Sequence, residues 1–184
     1  VLIIIIIIVV ALIVMNLKPV KNIIDPEVEF GFDFVRYAIE LANMESSWNY
    51  TIINSVGAMG KYQFMPSTVR GLFKKYTLPD WKNPEHFTTS ANAPDIQEAY
   101  FFAFVTDNLA TYKRRNLNQF VGNCTKGRLR FAHLTSRVNI YGIMAGGHLG
   151  GMRGVENYLK GKSDADDGLT SISDYVTLFS SKLT

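Results

Sequence analysis

The sequence predicts a mainly α domain with little β structure, preceded by one N-terminal transmembrane helix. Three observations predict it. Residues 1–15 are all apolar, the rest carries helical periodicity in segments bounded by proline and glycine, and strand signals are sparse. The chain of 184 residues is 47% hydrophobic and 19% charged, enough to bury a core in one compact domain. That average hides a sharp split, because the first charged residue is Lys18.

As a helix, residues 1–17 reach roughly 26 Å at about 1.5 Å per residue, close to the ~30 Å hydrocarbon core of a bilayer. The favoured reading is a transmembrane anchor over 1–17, which makes the lipid bilayer a partner. Residues 18–27, with Pro19 and Pro26, follow as a linker, and 28–184 form the folded domain. A cleaved signal peptide is a weaker reading, because no basic residue opens the segment and no A-x-A site closes it. A buried core element is weaker still, since the apolar run exceeds ordinary strand length. Lys18 and Lys21 flank the segment on the domain side and leave its orientation open. Cys124 is the single cysteine, so no intrachain disulfide forms; the ordinary reading is a small core residue rather than a reactive thiol. The N-x-T sequons at Asn49 and Asn123 matter only in a glycosylating host.

Residues 28–47 read as the first helix. Glu29, Asp33, Arg36, Glu40 and Asn43 form a polar stripe, with Phe30, Phe34, Tyr37 and Leu41 on the other flank and Ala38 and Ala42 beside them. Glu40 lies inside the stripe with Arg36 four residues before it, an ordinary solvated position. Glu45 falls about 160° away, on the side of Leu41 and Ala38. A carboxyl group on an apolar face requires either a special partner or a raised pKa. Residues 49–60 read as a loop or short hairpin turning at Gly57 and Gly60, and Pro66 opens a helix over 67–76. After a loop-rich stretch with Pro79, Pro84 and Asn92, Pro94 opens an apolar helix to about 112, in which Phe101, Phe102 and Phe104 read as core. Further helices are expected at 137–149, 152–160 and 172–182, the last with Ser171 and Asp174 at capping-box spacing.

Several chemistries lose ground. Residues 122–127 have the glycine spacing of a phosphate loop, but Arg128-Leu129 stands where lysine and a hydroxyl residue are needed. The Gly146-Gly147-His148-Leu149-Gly150-Gly151 cluster follows no strand and is no dinucleotide fingerprint. His86, His133 and His148 lack metal-ligand spacing, so no metal or cofactor is expected. No G-x-S-x-G elbow for a serine hydrolase occurs.

Three segments carry a pattern: Glu45-Ser46-Ser47-Trp48, then Gly57-Ala58-Met59-Gly60-Lys61-Tyr62-Gln63-Phe64-Met65-Pro66-Ser67-Thr68, then Ala145-Gly146-Gly147-His148-Leu149-Gly150-Gly151. Their order and spacing resemble the soluble lytic transglycosylase domain of the lysozyme-like superfamily, and more closely its phage virion-associated muramidase relatives. The resemblance runs from about residue 37 to 175. It implies a goose-type lysozyme-like helical fold and cleavage of the MurNAc–GlcNAc bond in peptidoglycan. Glu45 matches the catalytic acid and Ser46 the serine that supports it. Gln63 matches a cleft glutamine, with Tyr62 and Met65 in its wall. Residues 145–151, including Gly147 and His148, match a helix flanking the active site, and Tyr175 matches a late tyrosine directed at the catalytic glutamate. Gly-His-Leu replaces the more common Ala-Tyr-Asn in the third segment, which leaves open the group that contacts the N-acetyl function.

The residues themselves agree with this. Glycosidic cleavage needs a carboxyl group still protonated near neutral pH, and an apolar setting supplies that. A hydrolase also needs a second carboxylate, yet no Asp or Glu lies between residues 46 and 79. The expected route therefore uses Glu45 alone as acid and then base, with a 1,6-anhydro product. Simple hydrolysis, with Asp80, Asp95 or Asp107 returning through the fold, is the alternative reaction. A buried Glu45 paired with an arginine is the competing structural reading. Trp48 and Trp81 stack on sugar rings or simply pack.

From residue 108 to 155 there is no acidic side chain, while Lys113, Arg114, Arg115, Lys126, Arg128, Arg130, Arg137 and Arg153 are basic. A solvated cationic face is the plain reading; attraction to stem-peptide carboxylates or to nucleic acid are the functional ones. No nucleic-acid motif accompanies the stretch, so nucleic acid is not the expected partner. The rival to an enzyme is a membrane-anchored virion or envelope structural protein with an inactive fold, working through other such proteins or through this basic stretch. The expected location is a single-pass membrane protein of a bacterial envelope or of a phage virion's membrane.

Overall fold

The computed structural model describes residues 31–184, so the expected anchor (1–17), the linker (18–27) and the first residues of the domain lie outside the described part. Among the described residues no helix is long and apolar enough to cross a membrane. These residues form two compact units: Asp33–Thr106, and residues 31–32 with Asp107–Thr184.

The first unit is helical. Helix α1 spans Phe34–Glu45, shorter than the periodicity suggested, because Asp33 stops it. The Asp33 carboxylate accepts from the Arg36 N–H at 2.9 Å, which satisfies one of the orphan donors of the first turn. Tyr37, Ala38, Leu41 and Ala42 are buried, while Asp33, Arg36 and Asn43 of the polar stripe are exposed. Helix α2 (Pro66–Lys75) begins at proline as expected. A short helix α3 (Pro84–Thr89) was not expected; Asn83 caps it by accepting from the His86 N–H at 2.8 Å. Helix α4 (Ala93–Arg114), of which the residues up to Thr106 belong to this unit, supplies the core through Ile96, Tyr100 and Phe101. Phe34 packs on Phe101 and Phe102, and Tyr37 stacks on Phe101. Trp81 meets Phe87 edge-on, the packing reading of that tryptophan.

The second unit holds a 3-10 turn (Leu117–Phe120), two short strands, and the helices α5 (Ile140–Leu159) and α6 (Ile172–Lys182). Strands β1 (Cys124–Lys126) and β2 (Thr135–Arg137) pair antiparallel, with Thr125 opposite Ser136. Strand alternation sends Thr125 inward, where its hydroxyl lies 2.9 Å from that of Thr177 and 2.7 Å from that of Tyr158. Cys124 consequently faces outward and is exposed, which corrects the expectation of a core cysteine. The two helices expected at 137–149 and 152–160 run as one element, broken at Gly151 (φ 69°), so the sequence placed the interruption correctly. Gly142 and Gly146 of α5 make room for α6. A Cβ on Gly142 would meet the Ser180 hydroxyl at 2.1 Å, and one on Gly146 would meet Val176 at 2.8 Å. Val155, Ile143, Ile172 and Val176 fill the space between these two helices.

Part of the basic stretch is neutralised by acids that lie beyond it in sequence. Arg115 pairs with Glu156, and Arg128 with Asp164 and Asp166.

The expected capping box at α6 is present and does more than cap. Asp174 is 0% exposed, exchanges hydrogen bonds with Ser171, and accepts from the N–H groups of Arg128, Leu129 and Phe131. It thus ties the β1–β2 connection to the start of α6. Burial raises the pKa of this carboxyl group, but the donors from Ser171, Phe131 and Leu129 prevail and hold it below the usual aspartate range. The stabilisation from Asp174 is therefore full above the unfolded value of about 3.9 and is lost as pH falls through the lower folded value. Asp174→Asn is expected to cost roughly 2–4 kcal/mol at pH 7. Urea melts at pH 7 and pH 3 check this: the gap between wild type and variant should narrow at pH 3, and equal midpoints at pH 7 would refute it.

Candidate active site

Glu45 is the last residue of α1 and is half-buried, one turn beyond the fully buried Leu41. It is near enough to Tyr37 for its charge to be felt: burial first, and the Glu45 carboxylate second, push the Tyr37 hydroxyl far above its ordinary pKa. Ser46 ends the helix, donating its N–H to the Ala42 carbonyl. The chain then turns through left-handed backbone at Ser47 (φ 53°) and Trp48 (φ 70°). Neither is glycine, so each costs on the order of 1–3 kcal/mol and persists only where its surroundings over-determine it.

Those surroundings are specific. The Ser46 hydroxyl donates to the Lys61 carbonyl at 2.8 Å and accepts from the Asn49 N–H at 3.0 Å. The Trp48 N–H returns to the Ala42 carbonyl, and its indole N–H donates to Asn43. The following loop is pinned by Asn54, whose side chain accepts from the N–H groups of Val56 and Ala58. Met59 and Phe64 exchange hydrogen bonds at 2.9 Å each way, which closes the Gly60–Gln63 turn. Gln63 is a third non-glycine residue with positive φ (50°), and its side-chain amide donates to the Gly60 carbonyl at 2.9 Å.

Helix α4 fixes this loop from behind with two adjacent side chains. Gln97, 1% exposed, accepts from the Lys61 N–H at 2.8 Å and donates to the carbonyls of Tyr50 (2.9 Å) and Phe87 (2.7 Å). Glu98 accepts on Oε1 from the Lys61 ammonium and the Tyr50 hydroxyl, both at 2.7 Å, and on Oε2 from the Tyr62 hydroxyl at 2.8 Å. Lys61 is only 3% exposed, and its Nζ lies 4.2 Å from the Trp48 ring centre and 4.8 Å from that of Tyr62. Burial lowers the Lys61 pKa against the opposing pull of Glu98. The hydroxyls of Tyr50 and Tyr62 are raised, by burial first and by Glu98 next.

Of the residues named from sequence, Glu45, Ser46, Tyr62, Gln63 and Met65 all fall in this unit. Met65 is exposed and precedes α2, and Gln63 is half-buried. Tyr62 has no exposed surface; its ring stacks on Phe101 at 3.7 Å, so it backs the loop. Gly147, His148 and Tyr175 belong to the second unit. There Gly147 is buried, with space for its missing Cβ closed by Met152 at 2.5 Å, and His148 is half-buried on α5. Tyr175 is buried and stacks on Phe179. Sequence reasoning missed Tyr50, Gln97 and Glu98. A signal existed for Glu98: it shares a helical face with Phe101, Phe102, Val105 and Leu109, all buried, and a charge on such a face demands a partner. Among the described residues no group of side chains could hold a metal ion.

With this geometry in place, the likeness to known proteins becomes specific. Residues 34–94 match the family described as transglycosylase SLT domain, so the segment from α1 to the start of α4, with Glu45, Ser46 and Gln63, is similar to that domain. Soluble lytic murein transglycosylase of Salmonella typhimurium is 40% identical over 48 residues, and that of Escherichia coli K12 is 38% identical over the same length. Each alignment covers 26% of this chain and 7% of the relative, so the chain spans a small part of the length of these curated proteins. No solved structure matches the chain.

Gln97 and Gly60 make a linked prediction. A Cβ on Gly60 (φ 71°) would sit 2.1 Å from the Gln97 Oε1. Gly60→Ala is expected to cost roughly 2 kcal/mol from clash and backbone strain, and Gln97→Ala about 3 kcal/mol from three stranded partners. Because both act on one contact, the double variant should be more stable than the sum of the singles implies; strict additivity in chemical denaturation would contradict the clash.

Proposed function

We propose that the chain is a peptidoglycan lytic transglycosylase that cleaves the MurNAc–GlcNAc bond with Glu45 as its single acid and base. The observation that carries this is the half-buried Glu45 at the end of α1, joined through Ser46 to the Lys61–Gln63 turn, inside the segment that matches the SLT family. The names of the two relatives support the same substrate.

In the first step Glu45 gives its proton to the glycosidic oxygen as the bond to C1 breaks, leaving an oxocarbenium-like centre. The carboxylate then takes the proton of the muramic acid 6-hydroxyl as that oxygen attacks C1. The product is a 1,6-anhydro ring, Glu45 is protonated again, and no water is consumed. Glu98 supports the one-carboxylate route. It is a carboxylate that does return to the loop, but both its oxygens are engaged by Lys61, Tyr50 and Tyr62. It is therefore poorly placed to activate water or attack C1. Asp80 and Asp95 are exposed. Gln63 and Met65 supply saccharide contacts, Gln63 through the part of its amide that Gly60 leaves available. The apolar run at 1–15 supports tethering to a bilayer through residues 1–17, so that cutting is confined to wall next to a membrane, in a bacterial envelope or a phage particle.

Digestion of purified sacculi with mass spectrometry of the soluble muropeptides tests the proposal. Wild type should release 1,6-anhydro ends, and Glu45→Gln should lose at least about 10³-fold in rate while keeping its fold. Reducing ends from wild type would replace the transglycosylase by a hydrolase, and undiminished release by Glu45→Gln would end the assignment of the acid.

A further inference from the structure

We infer that Lys61 and Glu98 are a positioning pair for the catalytic end of α1, and that their charges are retained for geometry rather than for stability. This rests on the function proposed above.

Three directional contacts meet at Lys61. Its carbonyl accepts from the Ser46 hydroxyl, next to Glu45. Its N–H is held by Gln97, and its ammonium by Glu98 and Tyr50, at 2.7 and 3.2 Å. The end of α1 next to Glu45 is thereby linked to α4 through one residue, by its backbone and its ammonium together. The match to the SLT family ends at residue 94, so neither Gln97 nor Glu98 is assigned by it.

Packing alone does not explain a charge here. Lys61 and Tyr62 have almost no exposed surface, and aromatic rings of Trp48, Tyr50 and Tyr62 surround the ammonium. A methionine would fill such a cage, and replacing a buried ion pair by apolar groups of similar volume is often neutral or stabilising. What an apolar pair lacks is direction. Glu98 binds the Lys61 ammonium and two tyrosine hydroxyls at fixed angles, and so holds the loop in the strained turn that includes Ser47, Trp48 and Gln63. Without it, the Lys61 carbonyl and the Ser46 hydroxyl gain freedom, and a misplacement of about 1 Å at a reacting group costs about 100-fold in rate.

The test compares wild type, Lys61→Arg, Glu98→Gln and the apolar double variant Lys61→Met with Glu98→Leu, which removes both charges together and so leaves none buried alone. Each is measured for thermal midpoint, sacculus binding by co-sedimentation, rate of muropeptide release and amide exchange across residues 46–63. The double variant should stay folded, with its thermal midpoint lowered by no more than the lost acceptor of the Tyr50 and Tyr62 hydroxyls explains, and bind sacculi within about twofold of wild type, yet release muropeptides about 100-fold more slowly. Its amides at 46–63 should exchange faster, with those of α6 unchanged. Lys61→Arg should keep a substantial part of the rate, because the cation is retained. A folded double variant with wild-type rate and wild-type exchange overturns the inference. If wild type releases no muropeptides, the enzymatic reading falls, and the exchange comparison still decides whether the pair orders the loop.

Discussion

A single ammonium group removed from water governs the local structure of the first unit. Taking a lysine head group out of solvent costs several kcal/mol after relaxation, and that cost has to be met by well-aimed partners. Here Glu98 and Tyr50 meet it side by side, the Tyr50 hydroxyl donating to the same Glu98 oxygen that holds the ammonium, and the aromatic faces of Trp48 and Tyr62 complete the enclosure. The geometry of everything between Ser46 and Gln63 follows from this. Left-handed backbone at Ser47, Trp48 and Gln63 is tolerable because the chain on either side is fixed by side chains of α4. Tyr62 illustrates the consequence: a residue in the middle of a loop motif is more deeply buried than most of the helical residues, because its hydroxyl is part of the ionic cluster.

The elements that were legible from sequence were those set by periodicity and by chemical punctuation. Proline at position 66, the Ser171–Asp174 pair and the Gly150–Gly151 interruption each announced a boundary that the structure honours. The start of α1 was misjudged by several residues, because a run of alternating polar and apolar side chains continues through Asp33 although Asp33 is itself the cap. The β1–β2 pair was invisible for a physical reason: each strand has three residues, too few for alternation to rise above chance. The same alternation then reversed the expected setting of Cys124.

The position of Glu45 against the apolar side of α1 was legible because a helix converts spacing into direction. The partners of its loop were not, since Gln97 and Glu98 are separated from Lys61 by more than thirty residues and no local rule relates them. Glu45 and Glu98 are both charges on a greasy helix face, and the two carboxylates end in opposite circumstances. One carries three donors. The other closes a helix at a half-exposed site. Sequence pattern identifies both as exceptional, and only the fold separates the structural charge from the chemical candidate. The second unit uses a different device, close approach of α5 and α6 through glycine, with Asp174 as its polar anchor.

The outward-facing Cys124 has a practical consequence. It is the sole thiol in 184 residues, and it lies on a strand whose inward neighbour Thr125 is locked by Tyr158 and Thr177. A maleimide dye or nitroxide would therefore attach at one rigidly held point without prior mutagenesis. Paired with a second engineered label in the first unit, it would report distances between the two compact halves in solution, with and without glycan fragments.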